Sequence, residues 1–379
     1  ISSTSVEEIQ RTRRTSWGWS TRSQHLELRG MHMRYIPIEQ AEPAMILARN
    51  IWGPNGQLLL TANTVLKESY ISRLRDLQYS AVYVKSYPDE PVENILEPVK
   101  QETMVQATLA LKSVAEAAVA TDRLDVDRVL EVVSDIVDQV LSNRNVVYSI
   151  ADIRSFDDYT YGHSVDVCVL AVMCAAEMGM ARYDLLDLGT GAMLHDLGKL
   201  FTPKAILSKE TPLLDEEWDV IKRHPWDGFQ MLRKQVPLMS AHVAFQHHER
   251  HDGSGYPRGL TDCQTLDIAK ITAVADTFNA MTSDRPYRKA LMPHEALPIL
   301  AREAGKSYNP DVVRAFIGIV AAYPLGTVVK LSNGSIATVV GVTRELYDVE
   351  VLSGPREGNH LSIHHERDES AIHIIERID

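Results

Sequence analysis

The sequence predicts a mainly α protein, with a large helical domain flanked by a small N-terminal α/β module and a C-terminal β segment. Three observations carry this. From about Ile150 to Tyr323, apolar residues recur at helical steps almost without a break. From about Arg34 to Lys85, short apolar runs alternate with turn residues, and after Pro324 strand-like runs return. At 379 residues and 45% hydrophobic, the chain is long enough for two or three domains and too apolar to be disordered throughout.

Residues 1–32 mix Ser, Thr and Arg without a period and read as a flexible tail, with Met31 and Met33 both suitable as starts. In the module over 33–86, segments 35–38, 45–48, 58–60 and 81–84 read as strands, 53–56 as a turn and 70–77 as a helix. Residues 87–149 hold a linker marked by Pro88, Pro91 and Pro98, then two amphipathic helices. In the second helix Val129, Val132, Val133, Ile136, Val137 and Val140 recur at steps of three and four. Such a pair can pack on the next domain or form a homodimer seam; packing within the chain is favoured. The helical domain covers 150–323. Over 324–379, strands are expected at 327–331, 336–342 and 347–351, with Asn333-Gly334 as a hairpin turn. His360, His364, His365 and His373 read as solvated surface.

Composition narrows the function. A net charge of −12 argues against binding a nucleic-acid polymer but admits a small anionic substrate, because metals can reverse the field inside one pocket. The longest apolar run, Val167–Ala176, is closed by Asp166 and Glu177 and is too short to span a membrane. The three cysteines show no Cys-x-x-Cys spacing, and no apolar stretch near the start reads as a signal peptide, so a cytoplasmic protein is expected. Of fourteen histidines, seven fall between His163 and His251.

Within that window, His195-Asp196 closes an apolar helix, and Lys199 lies four and three residues further on, on the same helical face. A carboxylate bridging two cations beside an ammonium suits phosphate-ester hydrolysis; a buried His–Asp hydrogen bond explains the pair equally well. His163 opens a helix, and His224 ends one because Pro225 follows. His247-His248 runs into a loop containing Gly253, Gly255, Tyr256 and Pro257, where two imidazoles can divide between metals and glycines let backbone approach a ligand. Asp276 lies within an apolar helix and needs a counter-charge, either a metal or an arginine. Together these suggest a nitrogen-and-oxygen site for first-row metals; iron, manganese, zinc and nickel all suit it.

The order His163, His195-Asp196, Asp276 resembles the HD phosphohydrolase superfamily. His-Asp-x-Gly-Lys at 195–199, His-Pro at 224–225, the segment 247–257 and Arg-Pro-Tyr-Arg at 285–288 resemble its HD-GYP subfamily. The resemblance implies an all-helical HD-type metal-dependent domain that hydrolyses cyclic di-GMP to linear pGpG and then GMP, by attack of a metal-bridged hydroxide. It implies His163, His195, Asp196, His224, His247, His248 and Asp276 as metal ligands, with Asp196 bridging and acting with Lys199 in catalysis. Lys199, Arg285 and Arg288 would hold the phosphates, and Gly255 and Tyr256 would line the pocket. The expected cofactors are two divalent transition-metal ions, iron or manganese foremost. The module over 33–86 resembles domains found ahead of such enzymes, which suggests a regulatory role or a regulatory protein partner.

Two positions depart from the pattern. Tyr159 stands where a glutamate supports a third metal in some members, so two metals are expected, with Asp158 close by. Asn279 stands where an acidic residue is common, which is expected to alter substrate orientation or rate and to leave the metals in place. Two alternatives stay open: a low-turnover cyclic-dinucleotide sensor or partner-docking protein, and a phosphodiesterase for a hybrid cyclic dinucleotide.

Overall fold

The computed structural model describes residues 33–53, 57–77, 79, 81–85, 97–121, 124–148, 159–207, 209, 211–283, 290–365 and 371–378. The expected tail, most of the 53–56 turn and most of the linker lie outside these residues.

In the N-terminal module, β1 (Met33–Pro37) pairs antiparallel with β4 (Ala81–Lys85), and β2 (Ile51–Trp52) with β3 (Leu58–Leu60). Helix α1 (Glu68–Asp76) adds Ile71 and Leu74 to a core shared with Leu47, Leu66 and Val84. The expected strand at 45–48 does not form. Leu47 N–H donates to Thr64, whereas Lys85 N–H donates to Ile46, so the segment is wedged between two partners and makes single bridges only.

Helices α2 (Gln101–Thr121) and α3 (Asp127–Ser142) follow, and all six apolar residues of the α3 stripe are buried. That stripe packs on α4 (Tyr159–Glu177) and α5 (Arg182–Leu194), so its apolar face is satisfied within the chain. Val167 to Ala176 are all buried, which makes α4 the axis of the main core. Among the described residues no helix is long and apolar enough to cross a membrane. A 3-10 turn (Leu197–Phe201) leads to α6 (Lys204–Leu207), α7 (Asp215–Ile221), α8 (His224–Leu232) and α9 (Leu238–Gln246). After a loop come α10 (Asp267–Thr282), α11 (Pro293–Arg302) and α12 (Pro310–Ile319). Asn309 caps α12 by accepting from the Asp311 and Val312 N–H groups, and Pro310 occupies the first turn, where its missing N–H costs nothing. Helices α5 and α10 both pack on α4, and α9 packs on α5 and α8.

The C-terminal segment is a five-stranded antiparallel sheet ordered β8-β7-β6-β5-β9, from β5 (Val328–Leu331), β6 (Ile336–Val342), β7 (Leu346–Ser353), β8 (His360–His364) and β9 (Ile374–Arg377). Strands β8 and β9 were not expected. Both are edge strands whose sequences, His-Leu-Ser-Ile-His and Ile-Ile-Glu-Arg, give too short an alternation to stand out from polar loop. His365 is not simply solvated, since its ring stacks on Tyr347 at 4.1 Å. The sheet is joined to the helices by Tyr347, whose hydroxyl accepts from the Ala322 N–H at 3.1 Å, and by an Arg344–Glu177 ion pair.

Candidate metal centre

Four imidazoles are positioned by helix ends and one helix interior. His195 and His247 sit at the C-terminal ends of α5 and α9. His224 corrects the sequence reading: it begins α8, with Pro225 in the first turn, where proline is well tolerated. His163 does not open its helix either, since α4 starts at Tyr159.

These side chains surround Asp196. Its Oδ2 lies 3.9 Å from His163 Nε2 and 3.5 Å from His195 Nε2. Its Oδ1 lies 3.5 Å from His224 Nε2 and 3.8 Å from His247 Nε2. Each carboxylate oxygen therefore faces its own pair of imidazoles. His248 joins the second set, so that Asp196, His224, His247 and His248 form one donor group and His163, His195 and Asp196 another, each with its ligand atoms within 4.8 Å of one another. Asp276 falls in neither set; it lies 3.1 Å from His163 Nε2, and the arginine partner considered from sequence is not among its described neighbours.

The tautomers are fixed. Nδ1–H donates to Ala192 O in His195 (2.7 Å), to Ile221 O in His224 (2.7 Å) and to Ala244 O in His247 (2.9 Å), while in His163 it donates to Asn279 Oδ1 (2.7 Å). In His195, His224 and His247, Nε2 is thereby turned toward Asp196, the arrangement that metal-bound histidines show, whereas His163 Nε2 lies nearest Asp276 Oδ1, at 3.1 Å.

Burial lowers the pKa of His195, His247 and His248, and brings His224 down to about 4, so these rings are neutral with lone pairs available near pH 7. Burial also works to raise Asp196, but the Lys199 ammonium and the surrounding imidazoles outweigh it and hold the carboxyl well below its usual range. Asp276 is held low in the same way, against burial, by its hydrogen bond from His163. His163 is the exception among the rings: burial opposes its charge, yet the Asp276 carboxylate raises its pKa.

The donors fit metal ions on their own geometry. His195 Nε2 and Asp196 Oδ1 are buried without a hydrogen-bond partner, which is costly unless a cation completes them. Two ligands about 2.0–2.1 Å from one metal stand some 3.0–3.4 Å apart, close to the separations here. A set of imidazoles and carboxylates without thiolate suits first-row divalent ions.

Around this centre the remaining expected residues fall into different places. Lys199 Nζ lies 2.5 Å from Asp196 Oδ2, with about a third of its side chain exposed. It reaches the site from the 3-10 turn, not from a continuing helix. Arg285 and Arg288 lie outside the described residues, as does Asp158. Tyr256 stacks on His248 with centroids 4.6 Å apart. Gly255 is needed for a different reason from the one expected. A methyl there would sit 2.5 Å from Arg250 N and Glu249 Cα, so the close approach is to the chain's own backbone. A cavity of about 390 Å³ lies beside the centre, lined by Phe201, Thr202, Arg223, Asp227 and Gln230, and none of the proposed ligands lines it.

Two roles escaped the sequence. Glu249 is buried, and its carboxylate accepts from Arg258 N–H at 2.9 Å and Leu260 N–H at 2.8 Å, pinning the loop that carries Tyr256. Only its place next to His247-His248 hinted at this. Glu249→Ala removes the acceptor of two part-buried N–H groups, so chemical denaturation is expected to show a loss of about 1–3 kcal/mol. A change within about 0.5 kcal/mol, the range of ordinary surface substitutions, would contradict the clamp. Asn279, expected to act on substrate, is instead buried against His163.

Residues 137–312 match the HD domain family. The chain is 36% identical over 237 residues to the cyclic di-GMP phosphodiesterase PA4108 of Pseudomonas aeruginosa, covering 62% of this chain and 57% of that protein. It is 35% identical over 158 residues to 3'3'-cGAMP-specific phosphodiesterase 3 of Vibrio cholerae, covering 41% of this chain and 34% of that one. The chain thus spans about half or less of the length of these curated relatives. Among solved structures it is similar to Bd1817, an HDG"Y"P protein from Bdellovibrio bacteriovorus, with a TM-score of 0.50, 18% identity, and coverage of 76% of this chain and 99% of that one. At that identity the likeness concerns the fold.

Proposed function

We propose that the protein, whose residues 137–312 match the HD domain family, is a metal-dependent phosphodiesterase acting on a cyclic dinucleotide, with cyclic di-GMP as substrate and linear pGpG, then GMP, as products. One observation carries the reading: a single buried carboxylate, Asp196, turns each of its oxygens to a separate pair of imidazoles. The names of the relatives supply the substrate class.

In this reading His163, His195, Asp196, His224, His247, His248 and Asp276 would hold two divalent ions, iron or manganese, and Asp196 would serve both donor groups. When bound, such ions supply Lewis acidity toward a phosphoryl oxygen and activate water near neutral pH. The chain's own residues do the rest. Backbone carbonyls keep Nδ1 of His195, His224 and His247 protonated, so Nε2 presents a lone pair; Asn279 holds Nδ1–H of His163, whose Nε2 faces Asp276 and would turn to a metal in place of its proton. Lys199, about a third exposed, offsets negative charge beside Asp196 and can meet a phosphate oxygen. Arg285 and Arg288 are assigned to the remaining phosphate charge. Tyr256, stacked on His248, walls the site and limits access of bulk water.

A second reading, a hybrid guanine–adenine cyclic dinucleotide, is favoured by the 35% identity to the cGAMP-specific relative. Turnover of cyclic di-GMP and 3'3'-cGAMP in direct competition separates the two. A kcat/KM preference of tenfold or more for cyclic di-GMP is the expected result, and the reverse preference would install the hybrid substrate. Binding of both without cleavage would make the protein a sensor.

A further inference from the structure

His163 is held differently from its three neighbours. His195, His224 and His247 each donate Nδ1–H to the carbonyl three residues earlier, which is free because each of those carbonyls lies at a helix end. His163 lies within α4, where the carbonyls one turn back are engaged in the helical ladder. Its Nδ1–H must find an acceptor on another helix, and it finds Asn279 Oδ1 of α10 at 2.7 Å. An amide can present either its oxygen or its NH2 group, and only the oxygen can accept. The choice is made by Asp166, one turn along α4 from His163, whose Oδ2 accepts from Asn279 Nδ2 at 3.2 Å. Ser283 Oγ donates to the same Asn279 oxygen at 3.2 Å, which agrees with that orientation.

We propose that Asn279 is a positioning residue that fixes the tautomer and aim of His163, and that Asp166 fixes Asn279. The inference rests on the metal-dependent reading above. It also changes the meaning of the asparagine. With Asp166 in place, an aspartate at 279 would set two carboxylates against each other at about the 3.2 Å now spanned by a hydrogen bond. Asparagine is therefore matched to Asp166, and is not a weakened aspartate.

The test uses the full chain and titration with Mn2+, followed by loss of the free-ion electron paramagnetic resonance signal. Nitrogen-15 spectra of the histidine rings in the metal-free protein give a second readout. Asn279→Ala is expected to weaken Mn2+ binding by about 10–100-fold at the site His163 serves, and to shift the His163 Nδ1 signal as its hydrogen bond to Asn279 is lost. Asn279→Asp alone is expected to weaken binding by about tenfold. The exchange Asp166→Asn with Asn279→Asp restores an amide–carboxylate pair in the opposite order, and is expected to return affinity to within about threefold of the parent. Folded Asn279→Ala protein with parental affinity and an unchanged His163 signal would overturn the proposal, as would an exchange variant no better than Asn279→Asp. If Asn279→Ala fails to fold, the comparison of Asn279→Asp with the exchange variant decides. Failure of the parent chain to bind Mn2+ would instead remove the metal-dependent reading, and the metal-free spectra would still report on Asn279.

Discussion

Asp196→Asn is expected to cut turnover by about 10³-fold and to lower metal content from about two ions per chain to one or fewer. The substitution keeps size and planarity, so the effect isolates charge. In the native site both carboxylate oxygens are used, Oδ2 toward His163 and His195, Oδ1 toward His224 and His247. An amide offers one oxygen and one NH2 group, and the latter repels a cation and can only donate a hydrogen bond to a ring nitrogen, tying up a lone pair meant for metal. The Lys199 ammonium 2.5 Å away also loses its anion and is left to repel incoming metal. Stability of the metal-free fold should change little by comparison, because the surrounding rings are held neutral by burial. Metal analysis and turnover on the same sample check this. A variant retaining two metals and turnover within tenfold of the parent would mean that Asp196 does not bridge.

Gly198→Ala is expected to be damaging without replacing any ligand side chain. A methyl on Gly198 would fall inside contact distance of the His224 carbonyl oxygen and 2.6 Å from Gly228 N. Both obstacles are backbone, so no side-chain rotation can relieve them. The 3-10 turn carrying Lys199 and the first turn of α8 carrying His224 must move apart. Overpacking of this kind costs about 1–3 kcal/mol, which a thermal melt will show as a lower Tm. A displacement of about 1 Å in one ligand group can cost about 100-fold in rate. We expect a loss of that order in kcat, with weaker metal binding at the His224 side. Parental Tm and kcat would show that the two turns are not locked together.

How far the sequence could lead follows from the kind of signal each residue leaves. Histidines and aspartates set in apolar helices are chemically out of place, which is why the residues now gathered around Asp196 stood out before any geometry was known. The direction of a helix at His224 was misread because proline both ends and begins helices, and only the neighbouring turns decide which. Glu249 and Asn279 act through hydrogen bonds to partners 9 to 116 positions away, a relation that one sequence does not display. Gly255 was correctly singled out as needing to lack a side chain, but whether ligand or backbone approaches it is a matter of tertiary contact. In the C-terminal sheet, β6 was legible because Ile336 to Val342 is a run of β-branched residues broken only by small ones. The edge strands β8 and β9 were not legible, since only one face of each short strand is covered.

In the proposed function this centre cleaves a cyclic dinucleotide with metals held by its imidazoles and the Asp196 carboxylate. The most direct measurement is anaerobic reconstitution with ferrous or manganous ion, followed by cyclic di-GMP turnover with metal content and products quantified on the same sample. The account predicts about two metals per chain and the appearance of linear dinucleotide or GMP. Full metal loading with bound, intact nucleotide and no product would contradict it.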